Sequence, residues 1–259
     1  MLAAVDARFS SDARQRWDQG AAAYDARHIR SRSRWFGPVE RRMYRSLLPA
    51  PSNGRRLRVL DAGAGTGVLS AYLAAHADVV SADLSAASLA VLRTRQASVA
   101  PVQADLARLP LRPGSFDAVV SNVVFPHLPD ELVVRALLEL HDVLRPGGTL
   151  VFTVFNWEMM RRFRTFPTAR GRFPSGVYYR AYTADEARAL MNATPFRDVR
   201  VRGLGAVYAF CQPRRGLHRL YHRLGWATMP LEYVLQRRLG LLSRAGAYLV
   251  VTARKTPAS

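Results

Sequence analysis

Apolar and polar residues change their spacing along this chain in a way that divides it into helices and strands. Residues 11 to 48 follow a helical pattern, and Pro49, Pro51, Asn53 and Gly54 end it as a linker. From residue 57 short apolar runs alternate with helical segments. LRVLDAG (57–63) predicts a buried strand, GVLSAYLAAHA (67–77) a helix and DVVSADLS (78–85) a second strand. Ser85 or its neighbours can cap the next helix, which runs to Gln96. SVAPVQAD (98–105) and FDAVVSNVV (116–124) predict strands three and four. PDELVVRALLELHDVLRPGG (129–148) has a helix start at Pro129 and Asp130 and a stop at Pro146, Gly147 and Gly148; TLVFTVFN (149–156) is a fifth strand.

Beyond Asn156 the pattern loosens. Residues 157–182 mix six Arg with aromatics, Pro and Gly and predict an irregular insertion. TADEARALMNAT (183–194) is a helix with Thr183 and Glu186 spaced as a capping box, and FRDVRVRGL (196–204) alternates as a strand. A second insertion, 213 to about 243, carries Leu217, Leu220, Tyr221 and Leu224 with Arg219 and Arg223 between them, an amphipathic helix. GAYLVVTARK (246–255) is a last strand. Strands alternating with helices in this way predict a parallel sheet covered on both faces. The 259 residues, 49% of them hydrophobic, are enough for one large α/β domain. It divides into an N-terminal helical cap (1–56), a core (57–155) and lid insertions with the end of the sheet (156–259).

Charge adds a second division. The net charge is +19, with +7 in residues 1–56, −2 in 57–155 and +14 in 156–259. All basic residues but Lys255 are Arg. Codon bias with solvated faces explains that, and so does an anionic partner or membrane surface meeting the flanks; both readings stand. No segment is apolar enough for a membrane span, no signal peptide is evident, and a single cysteine, Cys211, rules out an internal disulfide framework. A soluble cytoplasmic protein is the expectation, with peripheral membrane contact left open by the flanks.

The chemistry concentrates in RVLDAGAGTGVLS (58–70). Gly63, Gly65 and Gly67 let backbone approach a ligand closely. Val68 stands where a dinucleotide fingerprint requires its last glycine, and no Lys completes a P-loop. Asp61 would repel pyrophosphate but suits a cationic group. S-adenosylmethionine (SAM) is such a ligand, with an ammonium, a sulfonium and no phosphate. Asp83 stands 22 positions on, where a carboxylate can accept from ribose hydroxyls, and Asp105 follows the third strand, where it can accept from an adenine amino group. Open α/β sheets bind ligands outside the carboxyl ends of their strands, so the three acids should converge on one crevice.

These segments resemble the class I SAM-dependent methyltransferases, and most closely the group that modifies quinones and other small molecules. VLDAGAGTG is similar to that family's first motif, VVSADLS to its second-strand acid, ADLARLPLRPGSFDAVVSNVVFPHL to its third and fourth strand region and VLRPGGTLVF to its fifth-strand entry. RWDQGAAAYD is similar to the segment whose tyrosine, here Tyr24, lies over the cofactor. The resemblance implies a Rossmann-like seven-stranded sheet with its last strand antiparallel, and in-line methyl transfer to an O, N or C atom. It implies that Gly63, Gly65 and Gly67 approach the methionine moiety, that Asp83 with Leu84 binds ribose, that Asp105 with Leu106 meets adenine, and that Asn122 lies near the ribose or sulfur.

SNVVFPHL (121–128) lacks the Asn/Asp-Pro-Pro-Tyr/Phe pattern of base-modifying enzymes, which weighs against a nucleic-acid substrate. A small organic acceptor is expected. RNA methylation through the basic flanks, and SAM binding without catalysis, are the alternatives. Trp157, Arg161, Tyr178 and Tyr179 are candidates for the acceptor chamber. His127 is the candidate base, or else a residue that orders the loop before Asp130. His218 and His222 lack a third ligand, so no metal is expected.

Overall fold

The computed structural model describes residues 2–31, 36–51, 54–211 and 245–257, with the single positions 216, 231 and 234. The amphipathic segment expected at Leu217 to Leu224, with Arg219, Arg223, His218 and His222, lies outside the described residues, as does the side chain of Cys211.

Five parallel strands form the centre in the order β3 (Ala100–Gln103), β2 (Ala77–Asp83), β1 (Leu57–Ala62), β4 (Phe116–Asn122) and β5 (Leu144–Asn156). The sheet then continues through β9 (Tyr248–Arg254), antiparallel to β5, and β8 (Arg197–Leu204), antiparallel to β9. That is the seven-stranded Rossmann-like arrangement with its last strand antiparallel. Alternate residues of β1 serve opposite faces. Leu60 and Ala62 pack with α5 (Asp130–Val143) and α7 (Ala184–Asn192). Leu57 and Val59 pack with α2 (Phe36–Leu47), α3 (Val68–Ala74) and α4 (Ala86–Arg95). Both faces are therefore covered, which is why β9 opens with an unbroken apolar run, Tyr248 to Val251, in place of alternation.

Three elements differ from the sequence pattern. The helix expected to close at the Pro146, Gly147 and Gly148 stop already ends at Val143, because Leu144 pairs with Phe116 and the Pro-Gly-Gly turn is taken up as an irregularity within β5. The insertion at 157–182 is ordered. It holds a short helix, α6 (Trp157–Arg162), capped by the Asn156 side chain, and a hairpin of β6 (Arg170–Arg172) with β7 (Tyr178–Tyr182). β7 also runs parallel to the end of β5, at Phe155 and Asn156, and its last four residues are all buried, so no period-2 alternation marks it. At the N-terminus, helix spans Leu2–Ser31 (α1) and then α2, whose Pro38 is accommodated in the first turn. The capping box at Thr183 and Glu186 is formed.

Among its described side chains, only Ala21 of α1 is buried. Polar anchors hold the helix across the carboxyl ends of the strands. Ser10 donates to Asp105 (2.6 Å), Asp18 accepts from the Ser85 hydroxyl (2.6 Å) and the Ala87 amide (3.1 Å), and Asp25 takes both Arg95 contacts at 2.9 Å. No helix among the described residues is long and apolar enough to cross a membrane.

Candidate active site

The turn from β1 to α3 is built on three glycines with left-handed backbone, at φ 77° (Gly63), 53° (Gly65) and 79° (Gly67). They serve different ends. A Cβ on Gly63 would lie 2.2 Å from Val124 and one on Gly67 2.5 Å from Leu92, so these two permit close packing of protein on protein. Around Gly65 the space is open to 4 Å, and its amide donates to Asp83 at 2.8 Å. Gly65 is thus the glycine of the three whose missing side chain leaves open space beside the crevice.

The three acids stand at successive strand ends. Asp61 is 1% exposed, and its Oδ2 accepts from the Ser70 hydroxyl at 2.5 Å, which in turn accepts from Ser81 at 2.8 Å. Burial pushes its carboxyl up to about 7 despite that hydrogen bond. Asp83 takes the Gly65 amide on one oxygen and the Ser85 amide on the other, both at 2.8 Å, and burial raises its pKa too. These bonds fix the carboxylate and leave each oxygen a further lone pair. Asp105 accepts from Ala107 (2.9 Å) and from Ser10 of α1.

One continuous crevice connects them. Its first lobe, about 770 Å³, is lined by Glu40, Arg41 and Asp61; its second, about 840 Å³, by Trp17, Asp83, Leu84, Asp105 and Leu106. Tyr24, Gly63, Gly65 and Asn122 border both. Asn122 is oriented by Thr153, whose hydroxyl donates to its Oδ1 (2.9 Å) and accepts from the Val123 amide (3.0 Å). Val123 itself has φ 56°, an outlier for a β-branched residue, held where β4 ends in the crevice wall. Of the residues the sequence singled out for cofactor contact, Gly67 alone borders neither lobe.

His127 borders the second lobe from a single turn of 3-10 helix, Phe125–His127. Its Nδ1 is 2.9 Å from the Tyr178 carbonyl, which can only accept, so Nδ1 carries the proton and Nε2 has a free lone pair. Trp17, Phe155 and Phe173 surround the ring at 5.3 to 6.3 Å between centroids, and burial lowers its pKa. A third cavity, about 340 Å³, begins at His127 and is bordered by Tyr178. Tyr179 is instead 3% exposed, stacked among Phe166 and Phe173; Trp157 packs on the same core. Neither they nor Arg161 border the three cavities. Among the described residues no His, Cys, Asp and Glu group is placed to hold a metal.

From the N-terminal helices sequence reasoning singled out Tyr24 and missed the other residues that α1 and α2 bring to the crevice. Ala13, Trp17, Ala21 and Tyr24 form a stripe at helical spacing that roofs the second lobe, and Glu40 and Arg41 close the first. The stripe was a detectable signal in a helix otherwise studded with charge. The polar anchors were not, since they join residues tens of positions apart.

Comparison with known proteins agrees with this fold. The sequence matches the family described as "Methyltransferase domain" over residues 60–152. It is 31% identical over 202 residues to a malonyl-[acyl-carrier protein] O-methyltransferase of Geobacter sulfurreducens, covering 73% of this chain and 71% of that protein. It is 34% identical over 170 residues to a demethylmenaquinone methyltransferase of Beutenbergia cavernae, covering 65% of each. The chain spans about half the length of other curated relatives that it matches, such as 50% and 42% in two further malonyl-[acyl-carrier protein] O-methyltransferases. In fold it is similar to a SAM-dependent methyltransferase of Thermotoga maritima, described as a possible histamine N-methyltransferase, with TM-score 0.65 and 19% identity over 93% of this chain and 99% of that one. Sheet order, glycine turn, strand-end carboxylates and relatives converge on one family, and this chain belongs to the class I SAM-dependent methyltransferases.

Proposed function

We propose that the protein transfers a methyl group from SAM to a small organic acceptor by in-line displacement. The observation that carries this reading is the opening of Asp61, Asp83 and Asp105, at the ends of three successive parallel strands, onto one crevice. The chemistry of the lining fits the cofactor. Asp61 would hold the ammonium and Arg41, in the same lobe, the carboxylate of its methionine moiety. Asp83 would accept from the ribose hydroxyls and Asp105, with Leu106, would meet the adenine; Leu84, Asn122 and Tyr24 complete the walls. When bound, SAM supplies an activated methyl on a sulfonium that becomes neutral as the methyl leaves.

The chain's own work is then alignment, exclusion of water and removal of a proton. Alignment alone can account for several kcal/mol of barrier lowering, about 7–11 in the best-oriented reactions. The α1 stripe covers the crevice, and His127 Nε2 takes the acceptor's proton when the nucleophile is a hydroxyl. Relatives named for malonyl-[acyl-carrier protein] and demethylmenaquinone support an organic acceptor over a nucleic acid. Incubation with methyl-radiolabelled SAM and a panel of hydroxylated and amino acceptors tests the activity. Label should pass to an organic acceptor and S-adenosylhomocysteine should form; cofactor binding without transfer to any acceptor contradicts it.

Asp61 makes this reading pH-dependent. With its pKa raised to about 7, the empty site is largely protonated below neutrality. An ammonium favours the carboxylate, so binding releases a proton and weakens as pH falls through 7. SAM affinity should drop about tenfold from pH 8 to pH 6. The drop should be much smaller in Asp61→Asn, which lacks the titrating group. Equal pH dependence in both proteins, measured by calorimetry, would detach Asp61 from the ammonium.

A further inference from the structure

The cavity beyond His127 has a chemistry that the cofactor crevice does not absorb. Its walls include Phe9 and Trp17 from α1 and Tyr178 from β7, and two guanidinium groups, Arg16 and Arg172, come to it from separate elements. They meet at one glycine. Arg172 donates to the Gly176 carbonyl at 2.8 Å, and a Cβ placed on Gly176 would lie 2.4 Å from Arg16 Nη1. Gly176, at φ 78°, makes room for the second guanidinium beside the first.

Two like charges held side by side repel each other, and an anion between them relieves that repulsion. Among the described residues neither Arg16 nor Arg172 forms an ion pair, although Asp12 borders the same cavity. Of the charged residues that line the cavity, Arg16 and Arg172 against Asp12 leave one net positive charge, a match for a monoanion. His127, Ala13 and Trp17 border both this cavity and the crevice, so a molecule seated here faces the cofactor side at His127 and the two arginines elsewhere.

We propose that this cavity is the acceptor site and that it selects an aromatic organic acid, whose carboxylate is held by Arg16 and Arg172 while its nucleophile points past His127 into the crevice. Arginine's planar fork suits a carboxylate, and the aromatic walls of Phe9, Trp17 and Tyr178 suit a ring. Arg16 and Arg172 are thus specificity-determining residues, distinct from the cofactor contacts. The inference rests on the methyl-transfer reading above.

Binding tests it without requiring turnover. The full chain, loaded with S-adenosylhomocysteine, is titrated with 4-hydroxybenzoate and with 4-hydroxybenzamide, which keeps the shape and lacks the charge. The acid should bind at least about tenfold more tightly, and added salt should erode the difference. In Arg16→Gln and in Arg172→Gln the preference should shrink severalfold or vanish, with S-adenosylhomocysteine affinity within about twofold of wild type. Acid and amide binding equally, neither binding to the loaded protein, or a preference untouched by both substitutions would each overturn the inference. Failure to bind S-adenosylhomocysteine at all would instead overturn the methyl-transfer reading, so the two failures are distinguishable.

Discussion

His127→Ala is expected to lower turnover with a hydroxyl acceptor by roughly a hundredfold or more, with SAM affinity little changed. The expectation follows from how the ring is held. The Tyr178 carbonyl accepts from Nδ1 at 2.9 Å, which fixes the tautomer and leaves Nε2 as the basic atom. Burial lowers the pKa, so the neutral base persists below the pH at which an ordinary histidine becomes charged. Wild-type turnover should therefore hold as pH falls to 6.5 and decline only below it, and that acidic limb should disappear in the variant. Steady-state rates across pH at saturating SAM decide the matter. Near-normal turnover with an unchanged profile would make His127 a loop-ordering residue.

The second large effect is on the cofactor. Asp83→Ala should weaken SAM binding by about 1–3 kcal/mol, or roughly 5- to 150-fold, the cost of hydrogen bonds left unmade in a confined site. Two causes contribute. The proposed ribose acceptor is lost, and so is the anchor of the Gly65 and Ser85 amides, which ties the glycine turn to the start of α4. Asp83→Asn separates them, since it keeps a carbonyl oxygen for one amide while losing the second acceptor. Its affinity should fall between those of Ala and wild type. An Asp83→Ala protein with unchanged affinity removes this residue from the site.

Much of this site was legible because its signals are local. The spacing of Gly63, Gly65 and Gly67, and acids at the ends of three predicted strands, place ligand chemistry at the carboxyl edge of a sheet whose order follows from βα alternation. Spacing did not separate the glycines by role. Gly65 faces open space while Gly63 and Gly67 make room for Val124 and Leu92, contacts from distant segments. Tyr178 and Tyr179 stood side by side as candidates, yet strand alternation sends one to the third cavity and the other into the aromatic core. The anchors that hold the roof over the crevice were hidden for a related reason. Asp18 reaches Ser85 and Asp25 reaches Arg95 across 67 and 70 positions, and no periodicity encodes such pairs.

The most direct test of the account is calorimetric titration of the wild-type protein with SAM, S-adenosylhomocysteine, NAD and ATP at pH 8. Strand-end carboxylates on a crevice that lacks a phosphate-binding loop predict binding of SAM and of S-adenosylhomocysteine in competition with each other. NAD and ATP should not displace either one. Absence of SAM binding, or displacement of S-adenosylhomocysteine by NAD or ATP, would contradict the assignment of this crevice.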